Sequence, residues 1–143
     1  MRSPSRQAME RLRRPAEPES LDELMAYVQT LSALGGLTRT RAHWLRLAAE
    51  ELIVNIITHG HRDRPGELEL TGGVEPGRVW LRLTDSAPPF DPTAYEAVPD
   101  LDRPLGERRP GGLGVYLART VADQVRYEYS SGRNQTTIIM NRV

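Results

Sequence analysis

The segment "AAEELIVNIITHG", residues 48 to 60, sets a carboxylate and an amide, Glu51 and Asn55, among the apolar residues Ile53, Val54, Ile56 and Ile57. Four residues advance a helix by about 400°, so the two polar side chains lie roughly 40° apart on neighbouring turns. His59 continues the same row. The pair borders a stripe formed by Leu45, Ala48, Ala49, Leu52 and Ile56. A carboxylate held next to apolar surface is costly unless a cation or donor accompanies it. Two readings stand open: both groups reach solvent at the helix border, or they serve a cation and a phosphate.

Two further stretches have residues suited to the same chemistry. In "VWLRLTDSAPPFDP", Asp85 falls in phase with Val79, Leu81 and Leu83, which places its carboxylate on the inward side of a strand. An inward carboxylate needs donors. The amine of an adenine ring would be one, whereas guanine presents a carbonyl there and would be repelled. A turn-forming aspartate that caps the following loop accounts for it as well. In "RRPGGLGVYLART", Gly111, Gly112 and Gly114 stand where a helix begins, and free N–H groups at such a start attract phosphate. Arg108 and Arg109 are placed to add charge-assisted bonds. The spacing fits neither a Walker loop nor a dinucleotide fingerprint, and a tight turn explains the glycines equally.

The elements that must position these groups follow from the pattern. "MERLRR" reads as a short edge strand stopped by Pro15 and Pro18. Ser20 is expected to cap a helix through "LDELMAYVQTLSAL", with Glu23 completing a capping box and Gly35-Gly36 ending it. Thr38 or Thr40 opens a second helix that runs to about Thr58 and stops at Gly60. "GELELTGGV" and "RVWLRLTD" alternate and form a hairpin about Glu75-Pro76-Gly77. Residues 86–112 hold six of the eleven prolines and read as a long loop. "GVYLARTVADQV" is a third helix, and "VRYEYSS" and "TTIIMNRV" form a closing hairpin about Gly132-Arg133-Asn134. The order predicts an α+β fold, a two-layer sandwich with helices on one face of a mixed, mostly antiparallel sheet.

Composition narrows the function classes. The chain has 143 residues, one domain by length, with 19 Lys+Arg against 19 Asp+Glu. Zero net charge argues against a global field for nucleic acid. The absence of cysteine removes disulfides and thiolate metal sites. The start lacks the apolar run of a secretory signal and no stretch approaches the roughly 20 apolar residues of a membrane span, so a cytoplasmic location without membrane or direct nucleic-acid partners is expected. Residues 1–7 are polar and expected to be flexible, ahead of a single domain over 8–143. His59 and His61 lack an evident third ligand for a metal and suit the negative end of a helix dipole.

Taken together, from about Met9 to Met140, these segments resemble the ATP-binding domain shared by gyrase, heat-shock chaperones, histidine kinases and mismatch-repair ATPases, the Bergerat or GHKL fold. Glu51-x-x-x-Asn55 resembles its N box, Asp85-Ser-Ala-Pro-Pro-Phe90 its first glycine box, Gly111-Gly112-Leu113-Gly114 its second, and Thr137 the threonine that follows them. Within that group the chain is most similar to the anti-sigma-factor serine/threonine protein kinases, in its short length, in "PPFDP", in "PGGLGVYLAR" running into "DQVRYEY", and in "GRNQTTI".

The resemblance implies ATP and Mg²⁺ as cofactors. Asn55 would hold Mg²⁺, Glu51 would be the general base, and Asp85 would accept the adenine amine. Ala87, Phe90, Arg108, Arg109, Gly111, Gly112, Leu113, Gly114 and Thr137 would line the nucleotide site, and residues 93–110 would form the lid. It also implies a small antagonist protein bearing the target serine or threonine, a sigma factor or similar regulator as the sequestered partner, and a homodimer as a further possibility. Ala87 departs from the family's glycine and places a methyl at the adenine edge. Two alternatives follow: a nucleotide-gated binding switch with little chemistry, and a detached histidine-kinase catalytic domain, disfavoured by the lack of upstream dimerisation helices.

Overall fold

A computed structural model of the chain describes residues 7–61, 64–94 and 112–143. The described elements run β1 (Gln7–Ala8), β2 (Leu12–Pro15), α1 (Leu21–Leu34), α2 (Arg39–Asn55), β3 (Glu67–Val74), β4 (Arg78–Asp85), α3 (Gly112–Val121), β5 (Gln124–Ser130) and β6 (Arg133–Asn141). The sheet order is β1-β3-β4-β6-β5, with β2 also on β3, and every described pairing is antiparallel. The α+β sandwich expected from the pattern is the observed fold.

Alternation decides which side of the sheet faces the helices. Leu68 and Leu70 on β3, Val79, Leu81 and Leu83 on β4, and Ile138 and Met140 on β6 are all fully buried. Helix α1 meets them with Leu24, Val28 and Leu31, spaced at i, i+4 and i+7, so one stripe carries the contact. The Tyr27 hydroxyl accepts the Gly72 N–H of β3 at 3.0 Å, which fixes α1 over the sheet. Gly72 itself lies under Leu31, whose Cδ2 would be 2.8 Å from an added Cβ. Helix α2 buries Leu45, Ala48, Ala49, Leu52 and Ile53, and its alanines let α3 pack beside it.

Several ends differ from expectation. Ser20 already has helical dihedrals at the end of a 3₁₀ turn over Pro18–Ser20 and makes no capping bond, so the capping box does not form. Glu23 instead pairs with Arg14 of β2 at 2.7 Å. Helix α1 ends at Leu34 with Gly35 as its C-cap, and Gly36 takes φ 62°; Leu37 N–H donates to Ser32 O and Gly36 N–H to Ala33 O, the paired bonds of a Schellman motif. Thr38 caps α2, its Oγ1 accepting from Arg41 N. The closing hairpin turns on Ser131 and Gly132, both at positive φ as a two-residue type I′ turn requires, so Arg133 and Asn134 belong to β6 rather than to the turn. Helix α3 stops at Val121, and Gln124 and Val125 already pair with β6. Strand β2 starts at Leu12 and retains Pro15 as its last residue, tolerated on an edge where no ladder N–H is demanded.

Candidate functional site

Helix α2 does not continue to Thr58 as an α-helix. From Ile56 to Gly60 it widens into a π turn, in which His61 N–H donates to Ile56 O at 3.2 Å. Such turns commonly mark functional sites, because the extra residue re-aims the side chains that follow. Asn55 is the last α-helical residue and is buried, while Glu51, one turn earlier, is half-buried at the helix border. Val54, on the other side of the helix, is 40% exposed.

Asn55 keeps only 7% of its surface exposed. Its Oδ1 is buried without a hydrogen-bond partner among the described residues. A buried amide oxygen left in this way costs about 1–3 kcal/mol, a cost that persists only where something else takes up the lone pair. Oxygen from an asparagine is a hard donor that suits Mg²⁺. On this observation Asn55 fits the cation that the sequence resemblance implies.

A cavity of about 210 Å³ opens beside Asn55, between the end of α2, the end of β4 and the start of β6. Leu52, Ile56, Pro88 and Phe90 give it apolar walls, and Asp85, Asn134 and Thr136 give it polar ones. Ligand pockets typically run from roughly 300 to 1,000 Å³, so this volume accommodates a flat ring rather than a whole large ligand.

Asp85 closes the cavity where β4 ends. It is 4% exposed, continuing the inward phase of Leu81 and Leu83. Its Oδ1 accepts Ala87 N–H at 2.9 Å and Asn134 Nδ2–H at 3.2 Å. The turn-capping reading of Asp85 therefore holds for one oxygen, while Oδ2 carries no hydrogen bond among the described residues. His61, also buried, places Nε2 3.7 Å from Asp85 Oδ1, and its Nδ1 lies 3.3 Å from Arg64 O.

Ala87 is buried in the cavity wall. Its methyl faces Gly60: a Cβ added at Gly60 would lie 2.9 Å from the Ala87 Cβ. The glycine of the π turn thus opens the space that the alanine fills. Phe90 packs against the core and lines the cavity, with its N–H donating to Asn134 Oδ1 at 3.0 Å. At the other end of Glu51, Gly114 in the first turn of α3 approaches so closely that an added Cβ would stand 2.5 Å from Glu51 Oε2. A side chain there would displace the carboxylate.

The structure therefore brings Asn55, Asp85, Ala87 and Phe90 to one cavity and sets Glu51 against Gly114 beside it. Gly112 and Leu113 open α3. Arg108, Arg109 and Gly111, and all but the first two residues of the 93–110 lid, lie outside the described residues. Thr137 is a correction. It faces the opposite side of the sheet, where Arg82 Nε donates to its Oγ1 at 3.3 Å, and its neighbour Thr136 lines the cavity. Strand alternation leaves room for only one of two successive threonines on the inner face. Two buried residues escaped the sequence reading as site members. Asn134 could have been found, since it stands in inward phase with Thr136, Ile138 and Met140, the same signal that marked Asp85. His61 had no such signal, because its position depends on the π turn.

A profile of the histidine kinase-like ATPase domain matches residues 14–141. The chain belongs to that family. It is 27% identical over 131 residues to the serine-protein kinase RsbW of Bacillus licheniformis, covering 85% of this chain and 78% of that one. It is 27% identical over 128 residues to the protein of the same name from Bacillus subtilis (strain 168), covering 82% and 76%. The crystal structure of the RsbU and RsbW domains of Rv1364c from Mycobacterium tuberculosis superposes with a TM-score of 0.61 at 14% identity, over 92% of this chain and 32% of that longer chain. That likeness supports the family fold. Among the described residues no helix is long and apolar enough to cross a membrane.

Proposed function

We propose that this chain is an ATP-dependent serine/threonine protein kinase that transfers the γ-phosphoryl group to a hydroxyl of a small antagonist protein and, by holding a sigma factor or similar regulator, controls its availability. The observation that carries this reading is the buried Oδ1 of Asn55, unpartnered among the described residues, one helical turn from Glu51 and in the wall of the cavity that Asp85 closes. The name shared by the RsbW relatives supports the serine-directed chemistry.

The roles follow from what each group can do. The apolar walls take the base, and Asp85 accepts the adenine amine. Asn55 would hold Mg²⁺, which would neutralise phosphate charge when bound. Glu51 accepts the proton of the attacking hydroxyl as that oxygen bonds to Pγ and the Pγ–O bond to ADP breaks. Phosphoryl transfer is mostly positioning and charge neutralisation, so one oriented carboxylate suffices. Residues 93–110 act as the lid over the phosphates, within a single domain over 8–143, and the protein works in the cytoplasm.

The test is phosphate transfer from Mg-ATP to a candidate antagonist protein. Glu51→Ala is expected to lower the transfer rate about 100-fold or more, within the range for losing a general base, while ADP still binds. Transfer at the wild-type rate would remove Glu51 from the chemistry. Ala87, standing in the cavity wall, favours a second reading, a nucleotide-gated switch with little transfer. Under it, ADP and ATP bind with measurable heat, and no phosphate appears on any antagonist.

A further inference from the structure

The register of β4 against β6 sets Asn134 directly across from Asp85. Asn134 is 3% exposed, and every polar atom of its side chain is engaged. Nδ2 donates to Asp85 Oδ1 at 3.2 Å, to Ala87 O at 3.0 Å and to Pro88 O at 3.2 Å. Oδ1 accepts the Phe90 N–H at 3.0 Å and the Tyr127 hydroxyl. The amide can sit only one way round. Phe90 N is a fixed donor, and a reversed amide would press an oxygen against a carboxylate and two carbonyls.

From this geometry we infer that Asn134 is a positioning and specificity-determining residue for the base: it pins Asp85 Oδ1, together with the Ala87 N–H, so that Oδ2 is the oxygen presented to a six-amino purine. The inference rests on the nucleotide reading above and deepens it. With both donors on one oxygen, the carboxylate is held in one orientation. A ring that offers an amine gains a bond to a fixed acceptor, and a ring that offers a carbonyl meets a fixed negative charge. Asn134 touches no reacting atom; it acts through Asp85 and through the 85–90 turn it ties down.

The experiment compares ADP with inosine diphosphate, which has a carbonyl in place of the amine, by calorimetry on the full chain. Wild type is expected to prefer ADP by about 100-fold or more. Asn134→Asp keeps the size and the acceptor for Phe90 and Tyr127 but removes the donor to Asp85. Asn134→Ser offers a smaller donor in case the first substitution prevents folding, which thermal melting reports. The inference expects the ADP preference to shrink at least about tenfold in Asn134→Asp, and by less in Asn134→Ser, the loss falling on ADP. If both nucleotides weaken equally and the preference stays, Asn134 is merely structural and the inference is overturned. If wild type binds ADP but does not prefer it, the role of Asp85 fails and this inference with it. If wild type binds neither, the nucleotide reading itself is wrong.

Discussion

At the scale of single residues, the site is organised by what glycines leave room for. Gly60 and Ala87 share one small volume, because a Cβ on the first would stand 2.9 Å from the Cβ of the second. Gly60→Ala is therefore expected to cost about 1–3 kcal/mol, the usual penalty for overpacking. Adding Ala87→Gly should restore most of that loss. Chemical denaturation of the two single variants and the double variant checks it, since additive effects would show that the two sites do not share the space. Gly114 and Glu51 make the corresponding pair on the chemical side. Gly114→Ala pushes the carboxylate aside, and a displacement of about 1 Å can cost roughly 100-fold in rate. Transfer kinetics should show a fall in phosphoryl transfer that exceeds any loss in ADP affinity. A loss confined to affinity would mean that Gly114 serves the phosphates alone. Much of this was legible in the sequence, because polar residues beside an apolar pattern stand out: Glu51 and Asn55 border the stripe of their helix, and Asp85 falls in the inward phase of its strand. Asn134 gave the same signal at a strand's start, where the turn boundary hid its phase.

At the scale of elements, the strands and helices followed periodicity, and the errors fell at their ends. Alternation placed Val79, Leu81, Leu83 and Asp85 of β4 on the inward face, and their burial is a period-two effect. Tertiary context overrode local signals elsewhere. The capping box at Ser20 lost Glu23 to Arg14, and the π turn after Asn55 has no marker in propensity because it answers to the packing of Gly60 and His61 around the β4 end. Thr137 was misassigned for a related reason: two adjacent threonines are indistinguishable until the hairpin register is known. The closing hairpin offers a direct test of its turn. Ser131 holds φ 55°, a conformation that asparagine tolerates better, so Ser131→Asn should raise stability by about 0.5 kcal/mol, read as a higher denaturation midpoint. Tyr27 anchors α1 to β3 through Gly72 N–H, and Tyr27→Phe leaves that buried donor unpaired at a cost of about 1–3 kcal/mol.

At the scale of the whole molecule, stability responds to pH and to ligand. Burial chiefly raises the phenol of Tyr27, with the Gly72 N–H partly offsetting it and Glu69 adding to it. Burial likewise raises Tyr127, partly offset by the Phe90 amide and reinforced by Asp91 and Asp85. A group whose folded pKa lies above its unfolded 10.0 holds its proton more tightly when folded. The stability it contributes is complete below pH 10.0 and is lost as pH climbs through the folded value. Stability should therefore fall on the alkaline side, less steeply once both tyrosines are phenylalanine, as pH-dependent denaturation would report. An unchanged slope would remove the tyrosines as its cause. The most direct measurement is calorimetric titration of ADP with and without Mg²⁺ into wild type and Asn55→Ala. Mg²⁺ is expected to tighten binding about tenfold or more in wild type and to leave the variant nearly unchanged. Equal Mg²⁺ dependence in both, or no ADP binding to wild type at millimolar concentration, would contradict it.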